Sequence, residues 1–260
     1  MTAKIQFRES PLLAPPSRCG GDLDFVLRPS DLTSIYANLK GHRSNFRQDS
    51  TDGPSFDCAA FVSHMYELQD LGEDVKFTEE DKAKIRGDWQ NHNISWRLEA
   101  AYPIYRWLRD NGETPEITDD MKQRLRQQLD ATQPTGYAIY AENAHYAKEL
   151  GVIDDVAPDT LKTLISGLDK LRHDNTPRGT GRYGDSNARH LAHLHYYLKK
   201  LGHPQEFTDE DKKKILAEIE TLRAEGEGST TAKMIYCLKQ ITQKEKPEGE
   251  MPEMPPIKKL

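Results

Sequence analysis

Residues 207–222 read FTDEDKKKILAEIETL, and this stretch indicates the fold of the whole chain. Thr208 precedes three acidic residues, an arrangement that caps the N-terminus of a helix and complements its dipole. An apolar stripe at helical spacing follows, formed by Ile215, Ile219 and Leu222. We therefore predict a helix with one narrow buried face, on which the three lysines at 212–214 are largely exposed.

The same pattern recurs along the chain with a period near forty residues. Helix starts of this kind fall at Thr78, Thr118, Pro158 and Thr208, at intervals of 40, 40 and 50 residues. Glycines that suit a helix end fall at Gly72, Gly112, Gly151 and Gly202, at intervals of 40, 39 and 51 residues. Both markers lengthen at the same place, so one insertion within residues 172–184 explains both. Such a period is typical of repeated helical units.

Each repeat contains two helices of different character. The first, helix A, is highly charged, and the second, helix B, is more apolar and contains nine of the 11 tyrosines across the repeats. Helix A therefore suits an outer layer and helix B an inner one. The chain is predicted to be all-α, with five antiparallel helical hairpins of about 40 residues stacked as an α-solenoid or a partial α/α toroid.

The repeats divide the chain into three regions. Residues 1–29 contain several prolines and glycines and are predicted to form an N-terminal arm. Residues 244–260 are rich in proline and charge and are predicted to be a disordered tail. The helical-repeat domain between them spans residues 30–243, with units at 30–77, 78–117, 118–157, 158–207 and 208–243.

Composition narrows the possible binding partners and the expected cellular location. The chain has 36 basic and 42 acidic residues, for a net charge of −6, which argues against general nucleic-acid binding. No apolar run is long enough to cross a bilayer, so we expect no membrane association. The three cysteines are far apart and form no CxxC motif. A cytoplasmic location is the expectation.

Two families of helical repeats resemble this pattern. Hairpins of forty residues are similar to a HEAT-like α-solenoid. The segment RGTGRYG at residues 178–184, followed by a helix that ends at Leu201-Gly202, resembles the α/α-toroid superfamily of terpenoid cyclases and protein prenyltransferase β subunits. The chain lacks the cyclase DxDD motif, and Asp57 and Cys58 are adjacent where the prenyltransferase zinc set separates them by one residue. The resemblance therefore implies a fold and not a chemistry.

One position of helix B is rich in polar aromatic and basic side chains. When the repeats are aligned on the glycine at the helix end, this B-helix slot contains Tyr66, Arg106, His145, Tyr196 and Tyr236. Repeats stacked in register would place these side chains along the inner face, where they suit a peptide or a flat organic ligand. Alternatively, the tyrosines fill the hairpin core and point their hydroxyls at water.

The fourth repeat contains two further candidate sites. Its enlarged loop could hold an anion or phosphate ahead of a helix N-terminus, through Arg178, Arg182, Tyr183 and Arg189. A divalent metal could bind His190 and His193, which share a helix face, together with Asp185 from the loop. His195 lies on another face and is predicted to be a packed histidine with a hydrogen-bond partner.

Two functional hypotheses remain open at this point. The first is a non-enzymatic helical-repeat adaptor or scaffold without a cofactor. It would bind a protein or peptide, acidic or phosphorylated, through the B-helix face and the enlarged loops. The second is an enzyme or small-ligand binder on a toroid-like scaffold, using the His190 and His193 cluster and the arginine- and glycine-rich loop at 172–189. We favour the first, because most catalytic constellations leave a tighter sequence pattern.

Overall fold

The computed structural model describes residues 27–47, 56–90, 97–132, 136–174 and 186–243 of the chain. These residues form ten α-helices and contain no β-strand, which confirms the all-α prediction. The helices are α1 (Pro29–Arg47), α2 (Phe56–Asp70), α3 (Glu79–Gln90), α4 (Leu98–Asp110), α5 (Asp119–Ala131), α6 (Tyr137–Glu149), α7 (Pro158–His173), α8 (Asn187–Lys200), α9 (Asp209–Glu225) and α10 (Gly228–Thr242). The predicted arm, except for residues 27–29, and the predicted tail lie outside the described residues.

The packing separates the even-numbered helices from the odd-numbered ones. Each even-numbered helix packs against the odd-numbered helix before it. The even-numbered helices also contact one another in the order α2, α4, α6, α8 and α10. Helix α10 in turn contacts both α1 and α2. Every even-numbered helix therefore has an even-numbered neighbour on two sides, and these are the B helices of the sequence pattern.

Local hydrogen bonds account for the helix boundaries that the sequence pattern predicted. The Thr208 hydroxyl accepts from the Asp211 amide at 3.1 Å, while the Asp211 carboxylate accepts from the Thr208 amide at 3.1 Å. Thr78 and Asp81 form the same reciprocal pair at the start of α3. This capping box satisfies two amides that a helix N-terminus leaves without partners. The four predicted terminal glycines have φ between +64° and +97°, the left-handed region that favours glycine.

The predicted buried face of α9 is confirmed, and the predicted exposure of its lysines needs two corrections. Ile215, Ile219 and Leu222 are buried, and Lys213 is exposed. Lys212 and Lys214 are only partly exposed, so the prediction for these two residues was wrong. Nζ of Lys214 donates to carbonyl oxygens at the end of α7, at 2.9 Å to Leu171 and 2.6 Å to Asp174. A lysine on one helix therefore caps the C-terminus of another, because the last carbonyls of a helix lack amide partners.

Three odd-numbered helices begin with a buried aspartate that an arginine of another odd-numbered helix contacts. The Arg Nη2 to Asp Oδ2 distances are 2.6 Å for Arg43–Asp81, 3.0 Å for Arg172–Asp211 and 3.0 Å for Arg223–Asp31. The first two pairs join successive units, and the third joins α9 to α1. The same chemical contact thus connects neighbours in sequence and also the first helix with the last odd-numbered one.

None of the helices described is long and apolar enough to cross a membrane.

Candidate functional site

The even-numbered helices line a cavity of about 560 Å³. This volume lies within the range of about 300–1,000 Å³ that small-ligand pockets occupy. Each of the five helices contributes one residue of the B-helix slot to the wall, namely Tyr66, Arg106, His145, Tyr196 and Tyr236. The structure therefore brings together at one cavity five side chains that lie about forty residues or more apart in sequence.

Helix register explains this convergence. Four of the slot residues lie six positions before the glycine that ends their helix, and Tyr236 has the equivalent place in α10. Residues at equivalent places on helices that pack side by side point in equivalent directions. A sequence alignment on the terminal glycine therefore selects one layer of the cavity wall.

The tyrosine hydroxyls of the slot connect neighbouring helices. Tyr66 donates to Asp110 at 2.8 Å, and Tyr236 donates to Asp70 at 3.2 Å. The hydroxyls of Tyr196 and Tyr236 lie 3.3 Å apart. These phenols therefore do more than fill the core with their hydroxyls toward water, the alternative that the sequence left open. Burial raises the pKa of all three, so they remain neutral donors at physiological pH.

Arg106 completes this layer from α4. Its guanidinium lies 4.1 Å from the centroid of the Tyr66 ring, a distance at which a cation is attracted by the aromatic face. Its Nε is 3.6 Å from the carboxylate of Asp110, which also accepts from Tyr66. Arg106 is thus held by one aromatic ring and one carboxylate, and it lines the cavity.

A partly buried carboxylate, which the sequence analysis did not identify, lies beside the slot. Oε1 of Glu142 accepts from the hydroxyls of Tyr146 at 2.8 Å and Tyr197 at 2.6 Å, and it lies 3.8 Å from Nζ of Lys233. Burial opposes ionisation, but the charge of Lys233 and the two hydroxyls outweigh it and lower the pKa of Glu142 from its ordinary value. The group is therefore an ionised carboxylate. Its position three residues before His145, on the same helix face, was the available signal.

His145 is the slot residue with unused hydrogen-bonding capacity. It is 6% exposed, and its Nδ1 is buried without a hydrogen-bond partner among the described residues. Its ring packs against those of Tyr102 and Tyr197, at centroid distances of 5.5 and 5.8 Å. Burial and the nearby Lys200 lower its pKa to about 4, so the imidazole is neutral at physiological pH. A neutral imidazole offers one donor and one acceptor.

The proposed metal ligands are only partly within the described residues. Asp185 lies outside them. His193 is buried, and burial and Lys233 lower its pKa to about 3. No group of three histidine, cysteine, aspartate or glutamate side chains in the described ranges is arranged to hold a metal ion. The metal hypothesis for His190, His193 and Asp185 therefore depends on the segment 175–185 and stays a prediction.

The anion site predicted for the enlarged loop of the fourth repeat is also only partly within the described residues. Arg178, Arg182 and Tyr183 lie outside the described residues, whereas Arg189 lies in the first turn of α8. The amide of Arg189 donates to the Ser186 hydroxyl at 3.2 Å, which caps this helix. The anion site predicted for this loop stays a prediction.

The structure confirms the expectation for His195, which is 2% exposed. Its Nε2 lies 3.2 Å from the carboxylate of Asp211, which also accepts from Arg172. His195 is therefore a packed core histidine with a charged partner, and it belongs to the Arg–Asp contact between units. It does not line the cavity.

Comparison of the chain with protein-family models, with curated proteins and with solved structures finds no match. Inferences about function therefore rest on the geometry of the cavity.

Proposed function

We propose that the five helical hairpins close into a ring, an α/α toroid with the even-numbered helices inside. The contacts of α10 with α8 on one side and with α1 and α2 on the other support this arrangement. The Arg223–Asp31 pair supports it further, because it repeats the contact that joins successive units. Gly228 allows the close approach, since a Cβ at this position would lie 2.7 Å from the side chain of Ser34 in α1.

We propose that the chain binds a small organic ligand in the cavity at the centre of this ring. The observation that carries the proposal is the convergence of one slot residue from each of five helices on a single cavity. Phenols, a guanidinium and an imidazole combine apolar surface with polar tips, which is the composition of sites for flat organic molecules. Nδ1 of His145 is buried without a hydrogen-bond partner among the described residues, and a polar atom of a ligand in the cavity would supply that partner.

The adaptor hypothesis has less support from the described surface. A large exposed apolar patch would mark a protein-interaction surface. Among the described residues, the large hydrophobic side chains that are exposed are Tyr36 and Ile139. The slot residues of the B helices line a concave cavity instead of an outer surface. The enlarged loops, on which the adaptor hypothesis also depends, lie mostly outside the described residues.

A fluorescent probe tests the ligand-binding proposal without knowledge of the natural ligand. N-phenyl-1-naphthylamine is an uncharged, flat molecule whose emission increases in an apolar cavity. We expect saturable binding of one molecule per chain. Ser63 lines the cavity, so Ser63→Trp should fill part of it and abolish the signal.

The control places the same large side chain elsewhere. Thr221 is exposed on α9, away from the cavity lining, and Thr221→Trp should bind the probe as the wild type does. Melting temperatures of both variants show whether each is folded. Probe binding that is unsaturable, or that is equal in Ser63→Trp and the wild type, would refute the proposal.

A further inference from the structure

The carboxylates on the cavity wall all have partners within the protein. Those of Glu142 and Glu149 face the cations Lys233 and Arg109, at 3.8 and 3.7 Å. The other three accept from neutral or histidine donors at 3.0 to 3.2 Å, in the pairs Glu67–His64, Asp70–Tyr236 and Glu99–Gln128. Each of these carboxylates therefore has a hydrogen-bond or ion-pair partner within the protein, and two of the five face a cation.

Among the described residues, three of the four cations on the wall face a carboxylate, and one does not. Arg106 faces Asp110 at 3.6 Å, and Arg109 and Lys233 face the glutamates named above. Lys200, on the last turn of α8, makes neither an ion pair nor a hydrogen bond with the described residues. Its Nζ lies 5.7 Å from the centroid of the Tyr196 ring. Lys200 is thus the charged side chain of the wall whose counter-ion the described part of the protein does not supply.

His145 lies in the electrostatic field of Lys200. Both residues line the cavity, and two rings connect them: His145 packs against Tyr197 at 5.8 Å and Tyr197 against Tyr196 at 4.8 Å. Beside burial, Lys200 is the main charge that lowers the pKa of His145. The imidazole also lacks hydrogen-bond partners within the described residues, and it is more than nine-tenths buried in the wall. A neutral N–H and an ammonium group without a counter-ion among the described residues therefore line the same cavity.

We propose, on the basis of the ligand-binding function above, that the ligand carries an anionic group, which Lys200 Nζ and an N–H of His145 bind. Carboxylate, sulfonate and phosphate share this chemistry, since each accepts charge-assisted hydrogen bonds from an ammonium group. The planar remainder of the ligand packs against the tyrosine rings beside these two residues, of which Tyr196 and Tyr197 lie at a centroid distance of 4.8 Å.

A pair of probes with one aromatic skeleton isolates the anionic group. 1-Anilinonaphthalene-8-sulfonate differs from N-phenyl-1-naphthylamine only by a sulfonate. We expect Lys200→Met to weaken binding of the sulfonate probe roughly tenfold, because a lost charge-assisted hydrogen bond has about this effect. Binding of the uncharged probe should change by less than about twofold. His145→Phe should show the same selectivity, and Lys200→Arg should retain binding of the sulfonate probe.

Lys162→Met provides the matched control. Lys162 is an exposed lysine of α7 that pairs with Asp159 at 3.1 Å and is absent from the cavity lining. The variant therefore removes one lysine charge, as Lys200→Met does, but at a site outside the cavity. It should leave the binding of both probes unchanged.

The outcomes separate this inference from the proposed function. If neither probe binds the wild-type cavity, both proposals are overturned. If the uncharged probe binds and Lys200→Met leaves the sulfonate probe unaffected, or weakens both probes equally, the anion assignment alone is overturned.

Discussion

Arg223 on α9 donates to the buried carboxylate of Asp31 on α1, with Nη2 at 3.0 Å and Nε at 3.3 Å from Oδ2. The two residues are 192 positions apart in sequence. Arg172 and Asp211 make the same contact between successive odd-numbered helices. The first and last units of the chain therefore interact as sequence neighbours do.

Removing this arginine tests how much the contact contributes to stability. Arg223→Met should lower the free energy of unfolding by about 3 kcal/mol, because it leaves the charge of Asp31 buried without its partner. Denaturant unfolding measures the change. Arg126→Met is the control, since Arg126 and Asp130 form a solvent-exposed pair at 3.5 Å and should contribute less than about 1 kcal/mol. Equal effects of the two variants would contradict the assigned role.

Three buried histidines should make the protein less stable as the pH falls below about 6.5, before its carboxylates protonate. Burial is the main cause that lowers the pKa of His145, His193 and His195, to about 4, 3 and 4. The unfolded chain binds protons at these histidines near pH 6.5, and the folded chain does not until about pH 4. Stability is therefore full above pH 6.5 and falls as the pH decreases toward 4, by about 1.4 kcal/mol per pH unit for each histidine.

A single substitution tests this assignment. His193→Gln should reduce the slope of unfolding free energy against pH between pH 6 and 4.5, because one of the three buried histidines no longer titrates in the unfolded chain. An identical pH profile for the wild type and His193→Gln would show that this residue does not contribute.

Alanine substitutions at two glycines in helix interiors should change the stability of the fold in opposite directions. At Gly167 of α7, an added Cβ would lie 2.4 Å from the Tyr137 ring, so Gly167→Ala should destabilise the fold by about 1–3 kcal/mol. At Gly87 of α3 an added Cβ meets no atom within 4 Å, so Gly87→Ala should stabilise it by about 0.5–1 kcal/mol. Thermal unfolding of both variants measures the difference, and a shift of the same sign in both would contradict the packing at Gly167.

The cap that Lys214 places on α7 should contribute measurably to stability. Lys214→Met removes a charged donor from carbonyl oxygens at the end of that helix and should cost about 1 kcal/mol. Lys213 is its exposed neighbour, and Lys213→Met should have little effect. Denaturant unfolding distinguishes the two. Hydrogen exchange in the last turn of α7 should accelerate only in Lys214→Met.

The parts of the structure that repeat were predictable from sequence, and the parts that occur once were not. Alignment on the terminal glycines selected Tyr196 and Tyr236 as members of one layer, because equal helix register gives equal orientation. Glu142 lies three residues before His145, and its partner Lys233 lies three residues before Tyr236, so the two share one helix register. Register selects such positions, but it does not show that they hold opposite charges that pair with each other and with Tyr197.

The contact between α1 and α10 has a consequence for how the protein unfolds. An open array of helical repeats has two terminal units, each with a neighbour on one side only, and such arrays lose structure progressively from those ends. Here the first and the last helices cover each other. Fraying at either terminus must therefore break an interface between units, and we expect the repeats to unfold together in one cooperative transition.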